Sequence, residues 1–295
     1  MTATPATPDS PAVPAGEPQI LVSGLVMGEC PRWHDGRLWL ADWVPQEIIT
    51  VGLDGKTAVV AQVGSLPLSF DWLPDGRMLV VSSDDRQVLR QEADGTFAVH
   101  ADLRAIADFP WNEIVVDGRG NAYVNCIGFD LMGGGEPAPG AVAVVTPDGS
   151  ARAVADGVMF PNGMAVTPDG ATLIVAESYG HRLTAFTIGA DGDLSGRRVW
   201  ADLGEGTPDG ICLDAEGAAW YADVPNRRCV RVREGGEVLQ TVAADRGCFA
   251  CMLGGDDGRT LFVVAAEWGG VEGVGGEPTG QVLTARAPAP HAGRP

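Results

Sequence analysis

The sequence predicts an all-β fold: a six-bladed β-propeller of four-stranded antiparallel blades around a central metal site. A strand–turn–strand unit recurs six times at a spacing of about 40 to 51 residues, the period of a propeller blade. The strands are short runs of Val, Ile, Leu, Trp and Tyr joined by Asp-Gly and Pro-Asp-Gly turns. No long stretch keeps the apolar period of a helix, and 41 glycines and 21 prolines in 295 residues weigh against one.

Residues 1–18, rich in Pro, Ala and Thr, read as a disordered arm. They have no basic n-region and no apolar h-region, so they do not read as a signal peptide. The strand near Ile20-Leu21-Val22 is expected to close the ring by joining the last unit beside Gln281-Val282-Leu283. The units are 30–43, 70–82, 112–125, 163–177, 210–223 and 251–265, with Leu38, Met78, Ala122, Leu173, Ala219 and Leu261 at matched places in their second strands. A further turn follows the third strand of a unit, as at Asp54-Gly55, Asp94-Gly95 and Asp148-Gly149. The units fill 19–285, which is expected to be one domain, and 286–295 reads as a flexible tail. Two longer Gly/Pro-rich loops, 128–140 and 269–280, are candidates to overhang one mouth of the ring.

The composition, 45% hydrophobic and 20% charged, is that of a globular chain. A net charge of −19 repels nucleic acid and anionic membranes, so neither is expected as a partner. No apolar run approaches the ~20 residues of a membrane helix. Six scattered cysteines without an export signal point to reduced thiols in the cytoplasm. Cys248 and Cys251 form a lone C-x-x-C with no second pair, which argues against zinc.

One position recurs with chemistry on it. Glu29, Asn112, Asn162 and Asp209 each stand about seven or eight residues before a turn glycine (Gly36, Gly120, Gly170, Gly217). Pro-Asn-Gly and Pro-Asp-Gly are common turn tripeptides, but phase separates these from turns. Pro161-Asn162-Gly163 precedes its own unit's hairpin at Pro168-Asp169-Gly170, and Asp209 precedes the turn at Glu216-Gly217. In a closed ring this phase is the start of the innermost strand, and all four oxygens face one axis. Units two and six hold Leu68/Ser69 and Ala250/Cys251 there. Two carboxylates and two amide carbonyls make an oxygen-only set suited to one divalent cation. Ca²⁺ heads the candidates, ahead of Mg²⁺, Mn²⁺ and Zn²⁺. Asn112, Trp111 and Ser69 are the candidate substrate contacts, with Asn112 also a candidate outer ligand. Trp43, Trp111 and Trp268 are placed either to line the mouth or to pack between blades.

At these residues the chain resembles the SMP-30/gluconolactonase/luciferin-regenerating-enzyme-like family. Gly28-Glu-Cys-Pro-Arg-Trp33 is similar to its G-E-[SGC]-P-x-W opening. Phe160-Pro-Asn-Gly163 and Pro208-Asp-Gly-Ile-Cys-Leu-Asp214 resemble its later ligand motifs, and Cys251-Met-Leu-Gly-Gly255 its last-blade motif. The ordered set spans about residues 20 to 285. The resemblance implies one catalytic divalent cation, held by Glu29, Asn162 and Asp209, and activity as a lactonase, with some members acting on phosphotriesters. In sugar-lactone members of the vertebrate type, an Arg stands two places before the Asn112 equivalent and contacts substrate. Here that place is Pro110, which donates nothing and points to a less polar lactone or ester. The expected mechanism is hydrolysis at a metal-polarised carbonyl, with Asp209 as general base. Competing readings are another metal-dependent esterase or phosphotriesterase, non-hydrolytic lactone chemistry, and a non-catalytic calcium-binding propeller. A monomer or small homo-oligomer is expected.

Overall fold

The computed structural model describes residues 13–14 and 16–293. The rest of the arm expected at 1–18 lies outside the described residues. Val13–Pro14 runs parallel to Val238–Ala243, on the outer edge of the fifth blade.

Six sheets radiate from the centre, each meandering outward through four antiparallel strands. The innermost strands are Gly28–His34, Leu68–Trp72, Trp111–Val116, Pro161–Val166, Pro208–Leu213 and Gly247–Gly254. Each neighbours the next around the ring, and the sixth neighbours the first. The turns form where the sequence places them. At the hairpins Asp75, Asp169 and Asp214 accept the amide two residues on, from Arg77, Ala171 and Glu216, which braces the turn.

Closure is as expected. Gln19–Leu25 is the outer strand of the sixth blade, with Ile20 opposite Leu283 and Val22 opposite Val282. The start and end of the chain are thus zipped into one sheet.

The core lies between blades, not on the axis. Trp111, Leu79 and Val124 pack between the second and third blades, and Tyr221, Ile211 and Ala165 between the fourth and fifth. This follows from strand alternation: one face of every sheet meets each neighbour, so both faces are apolar. The segment read as a flexible tail is packed instead as far as it is described. Ala287 and Ala289 are buried. The Ala292 amide donates to the Leu213 carbonyl at 3.0 Å, and Ala215 to that of Pro290 at 2.8 Å. Small residues let this stretch lie flat against the turns of blades five and six, where its backbone groups find partners.

Among the described residues no helix is long and apolar enough to cross a membrane. All six cysteines are free and buried.

Candidate metal centre

The inner strand of each ligand-bearing blade slips in register against its neighbour at the recurring position. The slip falls between Glu29 and Arg32, Trp111 and Ile114, Pro161 and Met164, and Pro208 and Ile211. The second blade, which carries Ser69 there, keeps unbroken register, and the sixth slips earlier, between Cys248 and Ala250. A bulge adds a residue to one strand and re-aims the side chain beside it. Cys30, at φ 50°, is the left-handed residue of the first bulge. Gly163 and Gly210 allow the next two inner strands to approach closely: a Cβ on Gly163 would stand 2.5 Å from the Asp209 carbonyl oxygen.

The four predicted residues lie on neighbouring or facing inner strands. Asn112 Nδ2 is 3.5 Å from Asn162 Oδ1. The Asn162 amide is oriented by Ser178, whose hydroxyl donates to the Pro208 carbonyl at 2.7 Å and leaves a lone pair facing Asn162 Nδ2 at 3.4 Å. Asn162 Oδ1 faces the Asn112 amide. Asn125 holds the same strand from behind, donating to the Asn162 carbonyl at 2.6 Å and accepting the Glu113 amide at 3.2 Å. Glu29 is buried, whereas Asn112, Asn162 and Asp209 keep partial access to solvent.

The electrostatics are those of crowded carboxylates. Burial, then the charges of Asp209 and Glu113, push the Glu29 carboxyl well above its ordinary range. Burial and then Glu113 do the same for Asp209, against the pull of the Gly210 amide and the Asn162 side chain. Arg32 is the counter-charge. Its Nη2 donates to Glu113 Oε1 at 3.2 Å and to the Ile114 carbonyl at 2.6 Å, and its Nε lies 4.0 Å from Asp71. Four carboxylates therefore share the channel with one guanidinium. Among the described residues no group of three or more His, Cys, Asp or Glu side chains is placed to hold a metal ion. The candidate set draws half of its oxygens from asparagine amides.

A second ring fixes the approach to each ligand. Asp42 accepts the amides of Val26 and Met27 at 3.1 and 2.8 Å, Glu177 that of Met159 at 2.7 Å, and Asp223 that of Thr207 at 3.3 Å. Each acceptor ends the second strand of its blade and grips the chain just before Glu29, Asn162 or Asp209.

Two predicted substrate contacts are not brought to the channel. Trp111 is fully buried in the core between blades two and three, as strand alternation places it on the opposite side from its neighbour Asn112. The Ser69 hydroxyl is engaged by the Asn112 carbonyl at 2.6 Å and ties two inner strands together. Arg32, Glu113, Asp71, Ser178 and Asn125 were not foreseen. Charged residues inside an apolar inner-strand pattern were the available signal for the first three.

A family model described as the SMP-30/Gluconolactonase/LRE-like region matches residues 27–267. A 6-deoxy-6-sulfogluconolactonase of Pseudomonas putida is 28% identical over 131 residues, 43% of this chain and 45% of that protein, so the match spans less than half of that relative. A pentonolactonase of Haloferax volcanii is 26% identical over 281 residues, covering 88% of this chain and 89% of the relative. The solved structure of regucalcin, a calcium-binding protein of Agrobacterium tumefaciens, has a TM-score of 0.75 at 20% identity, covering 96% of this chain and 98% of that one. At that identity the likeness is one of fold.

Proposed function

The chain belongs to the SMP-30/gluconolactonase/LRE-like family, and from that premise we propose that it is a divalent-cation-dependent lactonase, opening a lactone ring to the hydroxy acid. The observation that carries the proposal is the charge of the channel. Burial, Asp209 and Glu113 raise the proton affinity of Glu29, burial and Glu113 raise that of Asp209, and the single guanidinium of Arg32 is already committed to Glu113. An uncompensated buried negative charge favours a bound cation, and an all-oxygen donor set favours a hard one. Glu29, Asn162 and Asp209 would hold it, with Asn112 beside them. Ca²⁺ is the first candidate, because it tolerates a mixed set of carboxylate, amide and water oxygens.

When bound, the cation supplies Lewis-acid polarisation of the lactone carbonyl. Asp209 accepts the proton of the attacking water and returns it to the ring oxygen as the acyl–oxygen bond breaks. Asn112 presents an amide to the substrate oxygen, and Ser178 keeps Asn162 facing the channel. Glu29 holds charge without moving a proton. The lactonase names of the Pseudomonas and Haloferax relatives support this reaction class.

The test is a lactone, ester and phosphotriester panel run on chelated protein reloaded with Ca²⁺, Mg²⁺, Mn²⁺ or Zn²⁺. Cation-dependent lactone opening is expected, reduced about a thousandfold in a folded Asp209→Ala variant. Full turnover in that variant would remove Asp209 from the mechanism, and no lactone turnover with any cation would remove the reaction class.

A further inference from the structure

Aromatic walls stand on two sides of the ligand ring. Beside blades three and four, the rings of Phe129, Phe160 and Tyr179 lie with centroids 4.7 to 6.1 Å apart. Phe160 leads directly into Pro161-Asn162, and Tyr179 follows the Ser178 that orients Asn162. On the far side of the ring, between blades six and one, a pocket of about 230 Å³ is lined by Met27, Phe249, Trp268 and Val274. Met27 adjoins Gly28-Glu29. The Phe249 carbonyl lies 3.2 Å from where a Cβ would stand on Gly210, next to Asp209. Glu29 and Asp209 do not themselves line the pocket; it reaches them through Met27, two residues before Glu29, and Phe249, whose backbone meets Gly210.

Its chemistry is selective. Trp268 packs edge-on to Phe249 at 5.5 Å yet stays 42% exposed, so a large apolar surface faces the pocket uncovered. The rim carries the carboxylates of Glu267 and Glu277. No lysine or arginine is among the described residues lining it. Nearby Arg246 reaches the Thr279 carbonyl but is paired with Asp245. Such a rim repels an anionic substituent, while Met27, Phe249, Trp268 and Val274 give the pocket an apolar side. Beside Asn112, Phe109 and Pro110 likewise offer no side-chain donor.

Resting on the lactonase reading, we propose that this pocket takes the alkyl arm of a neutral lactone, so that the substrate class is an alkyl-substituted lactone and not a polyol or anionic sugar lactone. The arm lies against Trp268 and Phe249, while the ring carbonyl sits at the candidate ligands.

The experiment compares glucono-δ-lactone, δ-valerolactone and δ-decalactone on the cation-loaded enzyme. Wild type is expected to favour δ-decalactone over δ-valerolactone in kcat/KM by about fourfold for each methylene the pocket covers. Trp268→Ala and Val274→Asp should each shrink that ratio by about tenfold. Preference for glucono-δ-lactone, or a ratio untouched by both substitutions, overturns the proposal while leaving the lactonase reading intact. If no lactone is opened, the lactonase reading falls and the pocket is judged by binding alone. Calorimetric titration with the pentyl-substituted δ-lactam analogue of δ-decalactone should then show saturable binding that Trp268→Ala weakens about tenfold. Absent or unchanged binding overturns the pocket as well.

Discussion

At Asn162 the side-chain amide meets a serine just past the end of the next strand, and the same dependence runs through the site. Ser178 is placed by its neighbour Glu177, a fully buried carboxylate held by Arg182, Arg197, Thr184 and the Met159 amide. Burial pushes the Glu177 carboxyl up, but the Arg182 and Thr184 hydrogen bonds outweigh it and hold the group below its usual value of 4.5. A depressed folded pKa stabilises the fold fully above the unfolded value. That stabilisation is lost as pH falls through the folded one. Glu177→Gln should therefore cost about 3 kcal/mol at neutral pH, a cost that shrinks steadily as pH drops below about 4. Urea denaturation of both proteins across that range checks it, and a pH-independent difference would exclude the charge as the cause. Residue types alone did not show that Trp111, next to Asn112, packs into the core while Asn112 and Asn162 keep partial access to solvent.

Among the elements, the bulges matter most. The repeat phase in the sequence placed Glu29, Asn112, Asn162 and Asp209 at the starts of inner strands, and the strands form there. Regular alternation alone does not account for the register, which slips at each of these four residues. Beside two of these slips the fourth and fifth inner strands approach closely at Gly163. An added Cβ would meet the Asp209 carbonyl at 2.5 Å and the Ile211 amide at 2.6 Å, backbone atoms that cannot swing aside. Gly163→Ala should lower stability by about 1–3 kcal/mol and weaken Ca²⁺ binding by about tenfold. Gly118→Ala, which has nothing within 4 Å, is the control and should change neither. Calorimetry and denaturant titration on the pair read both effects, and unchanged Ca²⁺ affinity in Gly163→Ala would mean that the two bulges do not set the site.

Over the whole molecule, the candidate donors come from blades one, three, four and five, so a cation on the axis would tie together sheets far apart in sequence. The ring is otherwise held by packing between adjacent blades and by the seam at which Val22 meets Val282. Chelation should therefore lower the melting temperature of the entire domain in one transition. Restoring Ca²⁺ to a hundredfold excess over its Kd should add about 2.7 kcal/mol. Differential scanning calorimetry with and without chelator checks this, and superimposable traces would show that no structural cation is held by the folded ring. The packed stretch that ends near Ala292 belongs to the same scale. Its composition resembles a loose tail, and only the turns of blades five and six make it a bound strip.

The repeat, its period and the polar phase within it were legible in the sequence, because β-strand alternation and Asp-Gly turns are local properties that each unit writes out afresh. From these came the six blades, the closing strand and the four candidate residues at the starts of inner strands. The tertiary structure decided what non-local contact decides: the register slips that aim those side chains and the Arg32–Glu113 pair drawn from blades one and three. It also buried Trp111 and left Trp268 open against Phe249. A side chain's direction across a ring depends on partners about a blade's length or more away along the chain, and no window of sequence contains them.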